Sequence, residues 1–136
     1  MPIYWKQMLN AAIEGREFVL DGHPEHRLDW VYSKDVACLA CKLLFCEKTP
    51  NMEYNASYSK CIGIYDFISC LDKIFPGHKV KLKNCERGGW KYPLCMDRAK
   101  QDIDFMPQFS LESGINDYIN WYLEAHKSGK NEDSRS

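Results

Sequence analysis

The sequence predicts a single mixed α/β domain, and three observations carry that expectation. Residues 28–33 alternate, with Leu28, Trp30 and Tyr32 on one side and Asp29, Val31 and Ser33 on the other. That period of two, with aromatic and β-branched residues, marks a half-buried strand. Elsewhere Ile64, Phe67, Ile68, Leu71, Ile74 and Phe75 recur at helical spacing, the pattern of a helix with one face on a core. Short strand-like and helix-like runs then interleave along the 136 residues, a normal length for one domain.

Taken in order, Pro2 suits a helix start, and Ile3, Met8, Leu9, Ala12 and Ile13 form one stripe over residues 2–14, with Gly15 offering a C-terminal cap. Phe18-Val19-Leu20 reads as a short strand, and Asp21-Gly22 opens a loop through His23-Pro24-Glu25-His26. After the alternating strand, Ser33 or Asp35 is expected to cap a helix over 36–46 whose main polar residue is Lys42. A helix apolar nearly all round needs protein on several sides. A second strand is expected at 52–57, a helix at 63–75 stopped by Pro76-Gly77, and an exposed-edge strand at 79–83 whose lysines discourage aggregation. A loop over 86–93 leads to a short helix at 97–102. Ser110 should cap a last helix that places Ile115, Tyr118, Ile119, Tyr122 and Leu123 on one face. Residues 1–127 form the folded region, and 128–136, small and charged, are expected to be disordered.

Composition excludes several classes. Apolar residues make up 45% and charged residues 27%, with a net charge of −1. That balance offers no basic face for nucleic acid, and no apolar run reaches the length of a membrane span. The N-terminus lacks the cationic and apolar regions of a signal peptide. Seven cysteines, an odd number without a regular ladder of spacings, argue against a secreted disulfide scaffold and favour the cytoplasm. Cys38 and Cys41 form Cys-x-x-Cys, but inside a helical pattern and with no second pair at zinc-site spacing; they read as small buried hydrophobes. No metal site is expected.

Three segments carry a resemblance. Asp29-Trp30-Val31-Tyr32-Ser33-Lys34-Asp35-Val36-Ala37 resembles the Arg-Asp-aromatic-Val-Tyr-Val-x-Asp-Val-Ala run of the NAD-dependent epimerase/dehydratase family, the extended short-chain dehydrogenase/reductases. Glu53-Tyr54-Asn55-Ala56-Ser57 resembles its Tyr-Asn-Ile-Gly strand. Asp97-Arg98-Ala99-Lys100, Phe105-Met106-Pro107 and Leu111-Glu112-Ser113-Gly114-Ile115 resemble its Asp-x-x-Lys-Ala, Gly-Trp-x-Pro and Leu-x-x-Gly-Ile ending. The resemblance covers about residues 1–125. It implies the C-terminal, substrate-binding half of such a protein: mainly helical, with short strands, an incomplete Rossmann fold, and α+β when taken alone.

The same resemblance implies NAD(P) in the intact family enzyme. Yet no Gly-x-x-Gly-x-x-Gly and no Tyr-x-x-x-Lys occurs in this chain. Cofactor-binding and catalytic residues are therefore expected to be none here, and the chain is expected not to be catalytic alone. The expected partners are a sugar-type small molecule and either the missing Rossmann half or a separate chain that supplies it. The alternative is a non-enzymatic, truncated relative acting as an interaction subunit.

Four residues are candidates for substrate binding: Arg27, His26, Arg87 and Trp90. The resemblance implies a diphosphate-holding arginine at the position of Leu28; Arg27 stands one residue early, which on a strand turns it to the other face. Arg87, followed by Gly88-Gly89-Trp90, stands where the family often places a second arginine, with Trp90 able to stack on a ring. His26 lies in the loop before the strand. Asn55 and Asp35 are expected to be structural, Asp35 as a helix cap.

Overall fold

The computed structural model describes residues 3–22, 27–84 and 92–132. The order is α1 (Ile3–Ile13), β1 (Phe18–Gly22), β2 (Arg27–Asp29), α2 (Ser33–Phe45), β3 (Cys61–Gly63), α3 (Ile64–Ile74), β4 (Val80–Asn84), α4 (Asp97–Ile103) and α5 (Leu111–Glu132). The mixed helix-and-strand class is as expected. Two two-stranded sheets form among the described residues. β1 and β4 run parallel, from Phe18 opposite Val80 to Gly22 opposite Asn84. β2 and β3 run antiparallel, with Leu28 opposite Ile62.

Local chemistry sets the ends. Gly15 has φ +67°, and the bonds Gly15 N–H to Ala12 O (3.3 Å) and Arg16 N–H to Ala11 O (2.9 Å) close α1 as a Schellman turn. Asp66 Oδ2 accepts the Gly63 N–H at 2.8 Å at the start of α3, and Gly77, at φ +83°, turns the chain after it. Ser110 Oγ accepts the Ser113 N–H at 3.1 Å, the expected cap of α5. α4 ends at Asp104 in the left-handed region (φ 47°), where the resembled Gly-Trp-x-Pro has its glycine.

The main core gathers Trp5, Met8 and Leu9 of α1, Phe67 and Leu71 of α3, Ile115 and Ile119 of α5, and Trp30. The alternation reaches this core as expected: Leu28 and Tyr32 are half-buried against it, and Trp30 is 4% exposed. β2 nevertheless stops at Asp29, because its partner β3 is only three residues long. Gly114 explains its motif. A Cβ there would lie 2.9 Å from Trp30 Cη2 and 3.0 Å from Tyr32 Cδ2, so only glycine lets α5 lie against both rings.

A second, smaller cluster joins Leu39 of α2 to Met96, Ala99 and Phe105. It covers one side of α2. Val36, Leu44 (76% exposed) and Phe45 (82%) stay open, so among the described residues the apolar helix is covered on one side only. Cys38 and Cys41 are exposed on it, a correction to the reading that buried them. Asp35 corrects a second expectation. The N-cap of α2 is Tyr32, without a side-chain cap bond. Asp35 is instead buried in the first turn and accepts the Gln108 and Phe109 N–H groups at 2.8 and 3.1 Å.

No strand forms at 52–57, because no described strand lies beside it to complete a ladder. Leu123 is 43% exposed, off the buried face of Ile115, Ile119 and Tyr122. α5 continues to Glu132, into the stretch 128–136 expected to be disordered.

Candidate functional site

The segment 51–57 is held by side chains in place of a strand ladder. Asn51 Nδ2 and the Tyr54 hydroxyl both donate to Asp102 Oδ2, at 2.7 and 2.9 Å. Asn55 Nδ2 donates to Cys95 O at 2.9 Å. Ser57 is fully buried; its hydroxyl donates to Asp29 Oδ1 at 2.6 Å and accepts the Ser59 N–H at 2.8 Å. Asp29 Oδ2 accepts the Leu94 N–H at 2.8 Å. One carboxylate thus ties β2, the segment after residue 52 and the approach to α4 together. Charge-assisted bonds of this kind are about twice as strong as neutral ones.

Two clefts are lined by residues of the segments joined in this way. One, of about 320 Å³, is lined by Glu53, Asn55, Cys95 and Arg98. The other, of about 380 Å³, runs along Ser59, Leu94, Met96, Lys100 and Met106. Ser59 adopts φ 56° at its edge, a conformation that L residues rarely hold.

Of the sequence candidates, Arg27 is placed at the start of β2 opposite Gly63, its Nη1 3.7 Å from Asp66 Oδ2. Both side chains are about half exposed, so the pair contributes little. Leu28 turns the other way, into the apolar cluster. His26, Arg87 and Trp90 lie outside the described residues.

A polar cluster that sequence reading missed joins α2 to α5. The Tyr32 hydroxyl donates to Asp117 Oδ2 at 2.7 Å, and Lys34 Nζ donates to Asp117 Oδ1 at 2.8 Å. Those bonds, that from Lys34 foremost, hold the Asp117 carboxyl below the usual range. Burial, and then the Asp117 carboxylate, push the Tyr32 phenol well above its ordinary value. No local pattern links residues 85 apart, which is why the pairing was not legible.

β3–α3 is a strand-to-helix turn, but Asp66 places a carboxylate on its first N–H, which repels an anion. The positive-φ glycines Gly15 and Gly77 follow helices. No group of three metal-ligating side chains occurs among the described residues, and no described helix is long and apolar enough to cross a membrane.

With this geometry in view, the fold and the three motifs agree: the chain is a part-length match to the extended short-chain dehydrogenase/reductases of the epimerase/dehydratase type. It is 27% identical over 122 residues to the dTDP-glucose 4,6-dehydratase of Escherichia coli, covering 82% of this chain and 34% of that protein. The ADP-L-glycero-D-manno-heptose-6-epimerase of Helicobacter pylori matches with a TM-score of 0.69 and 26% identity, over 84% of this chain and 36% of the other. The UDP-glucuronic acid 4-epimerase of Bacillus cereus, solved with UDP-glucuronic acid and NAD, shares the fold at a TM-score of 0.71 and 20% identity, over 87% and 40%. No family model matches the chain. The chain therefore spans between a third and two-fifths of these proteins' lengths.

Proposed function

We propose that this chain is the substrate-binding portion of an NAD(P)-dependent sugar or sugar-acid epimerase, dehydratase or dehydrogenase, and that it is not catalytic alone. The observation that carries this reading is the open side of α2 beside the ladderless segment 52–57. Val36, Leu44 and Phe45 face outward there, and 52–57 has no strand neighbour among the described residues. A Rossmann half set against this side would bury the helix and pair the segment. Burying a side chain such as Leu44 or Phe45 is worth about 1.5–3 kcal/mol each, large against a domain stability of about 5–15 kcal/mol. NAD(P), bound by that half, supplies the hydride chemistry; the residues of this chain shape the substrate side. Leu28, where the resemblance implies a diphosphate-binding arginine, favours a sugar or sugar acid over a nucleotide sugar.

The same open face supports a second reading, an interaction subunit that binds a separate Rossmann-domain chain. Sequencing the transcript upstream of the Met1 codon separates the two. An in-frame Gly-x-x-Gly-x-x-Gly and Tyr-x-x-x-Lys supports the first reading. An upstream stop codon overturns it, and a stable complex recovered with a Rossmann-domain protein then supports the second.

A further inference from the structure

We propose that the cleft between the start of α2 and the middle of α5 binds a single neutral sugar ring. The cleft holds about 300 Å³ and is lined by Tyr32, Ser33, Lys34, Asp117, Tyr118 and Trp121. That is the small end of the range for ligand pockets, suited to one ring and not to a nucleotide. One wall is aromatic. The Tyr118 and Trp121 rings lie 5.5 Å apart with their planes inclined at 45°. Tyr118 is fixed by its hydroxyl, which donates to Asn10 Oδ1 at 2.8 Å. Trp121 is 56% exposed and belongs to neither apolar cluster, so core packing does not account for it. Its ring offers an apolar face to the C–H face of a sugar.

The rest of the lining is polar. Lys34 and Asp117 are 2.8 Å apart and cancel each other's charge, so the lining carries no net charge. A charged ligand would have to displace one member of that pair and leave the other without its counter-charge, which costs free energy. A neutral ring need not. The Lys34 ammonium has two donors beyond the one given to Asp117, and each Asp117 oxygen has a further lone pair. Adjacent hydroxyls of a sugar can accept from the first and donate to the second. Tyr32 holds the carboxylate in place from below, at 2.7 Å. The cleft uses none of the residues that carry the proposed function, so the two readings stand or fall separately.

The test is saturation-transfer NMR on the full 136-residue chain, with D-glucose, D-galactose and N-acetyl-D-glucosamine as neutral probes and D-glucuronate as the charged one. The expected result is transfer to a neutral hexose with a Kd of about 1–10 mM, weakened at least about tenfold in Trp121→Ala and in Asp117→Asn. Tyr65→Ala, which removes an exposed aromatic ring on α3, leaves the binding unchanged. Far-UV circular dichroism confirms that Trp121→Ala keeps its helices. No transfer to any neutral hexose, equal transfer in Trp121→Ala, or preference for glucuronate would each overturn the proposal.

Discussion

Replacing Gly114 with alanine tests the packing on which the fold turns. In an unhindered helix the change stabilises by about 1 kcal/mol, because alanine is the better helix former. At Gly114 the new methyl would meet Trp30 Cη2 at 2.9 Å, Tyr32 Cδ2 at 3.0 Å and Trp30 Cζ2 at 3.2 Å. Comfortable carbon contacts lie at about 3.5–4.0 Å, so the rings must retreat by about half an ångström. Neither is free to do so. Trp30 is 4% exposed, edge-on to Tyr58 at 5.9 Å and stacked with Tyr32 at 6.2 Å. Tyr32 packs in turn on Phe109 at 4.7 Å and donates to Asp117. Overpacking of this kind costs about 1–3 kcal/mol, which exceeds the propensity gain. The expected outcome is a net loss of up to about 2 kcal/mol in urea unfolding with an unchanged slope. The near-UV dichroism of Trp30 should change with it. Trp30→Phe in the Gly114→Ala background should recover part of the loss, a coupling that a double-mutant cycle reads directly. A higher urea midpoint for Gly114→Ala alone would refute the reasoning.

Three further outcomes follow from the same geometry. Asp35→Asn leaves one of the Gln108 and Phe109 N–H groups without its acceptor and should cost about 1–3 kcal/mol in urea unfolding. Asp104→Gly relieves a left-handed backbone at φ 47° and should raise the thermal midpoint, by an amount equivalent to about 0.5–1 kcal/mol. The Asp117 carboxyl is held low by Lys34 and Tyr32, so its contribution is present above the ordinary carboxylate pKa and is lost as pH falls through the lowered folded value. Stability should therefore decline on acidification below about pH 4, and Asp117→Asn should flatten that part of a urea-midpoint profile.

Much of the fold was legible because its signals are local. The stripe on α1, the Gly15 cap and the Ser110 cap all act within a few residues, and each appears where its pattern lies; the alternation around Trp30 forms a strand only as far as Asp29. What was misread depends on distant partners. Asp35 looked like a cap of its own helix, but it reaches groups 73 and 74 residues away. Residues 52–57 are expected as a strand, but a strand exists only beside another strand. Cys38 and Cys41 were assigned to the interior because an apolar helix needs cover, and among the described residues that cover is on one side only. The site was less legible than the fold. Asp29 and Ser57, which anchor the clefts, and Asp117, which pairs with Tyr32 and Lys34, are single polar residues without a spacing pattern. Arg27, one residue before the position where the resemblance implies a diphosphate-holding arginine, lies beside Asp66.

The central claim is that the open side of α2 belongs against another part of a larger fold and that the cofactor is held there. The direct test is urea unfolding of the 136-residue chain with and without NADH, alongside binding of a dye specific for exposed apolar surface. The account predicts strong dye binding that falls sharply in Leu44→Glu/Phe45→Glu, and a urea midpoint that NADH leaves unmoved. A midpoint raised by NADH, or dye binding indifferent to those two substitutions, would contradict it.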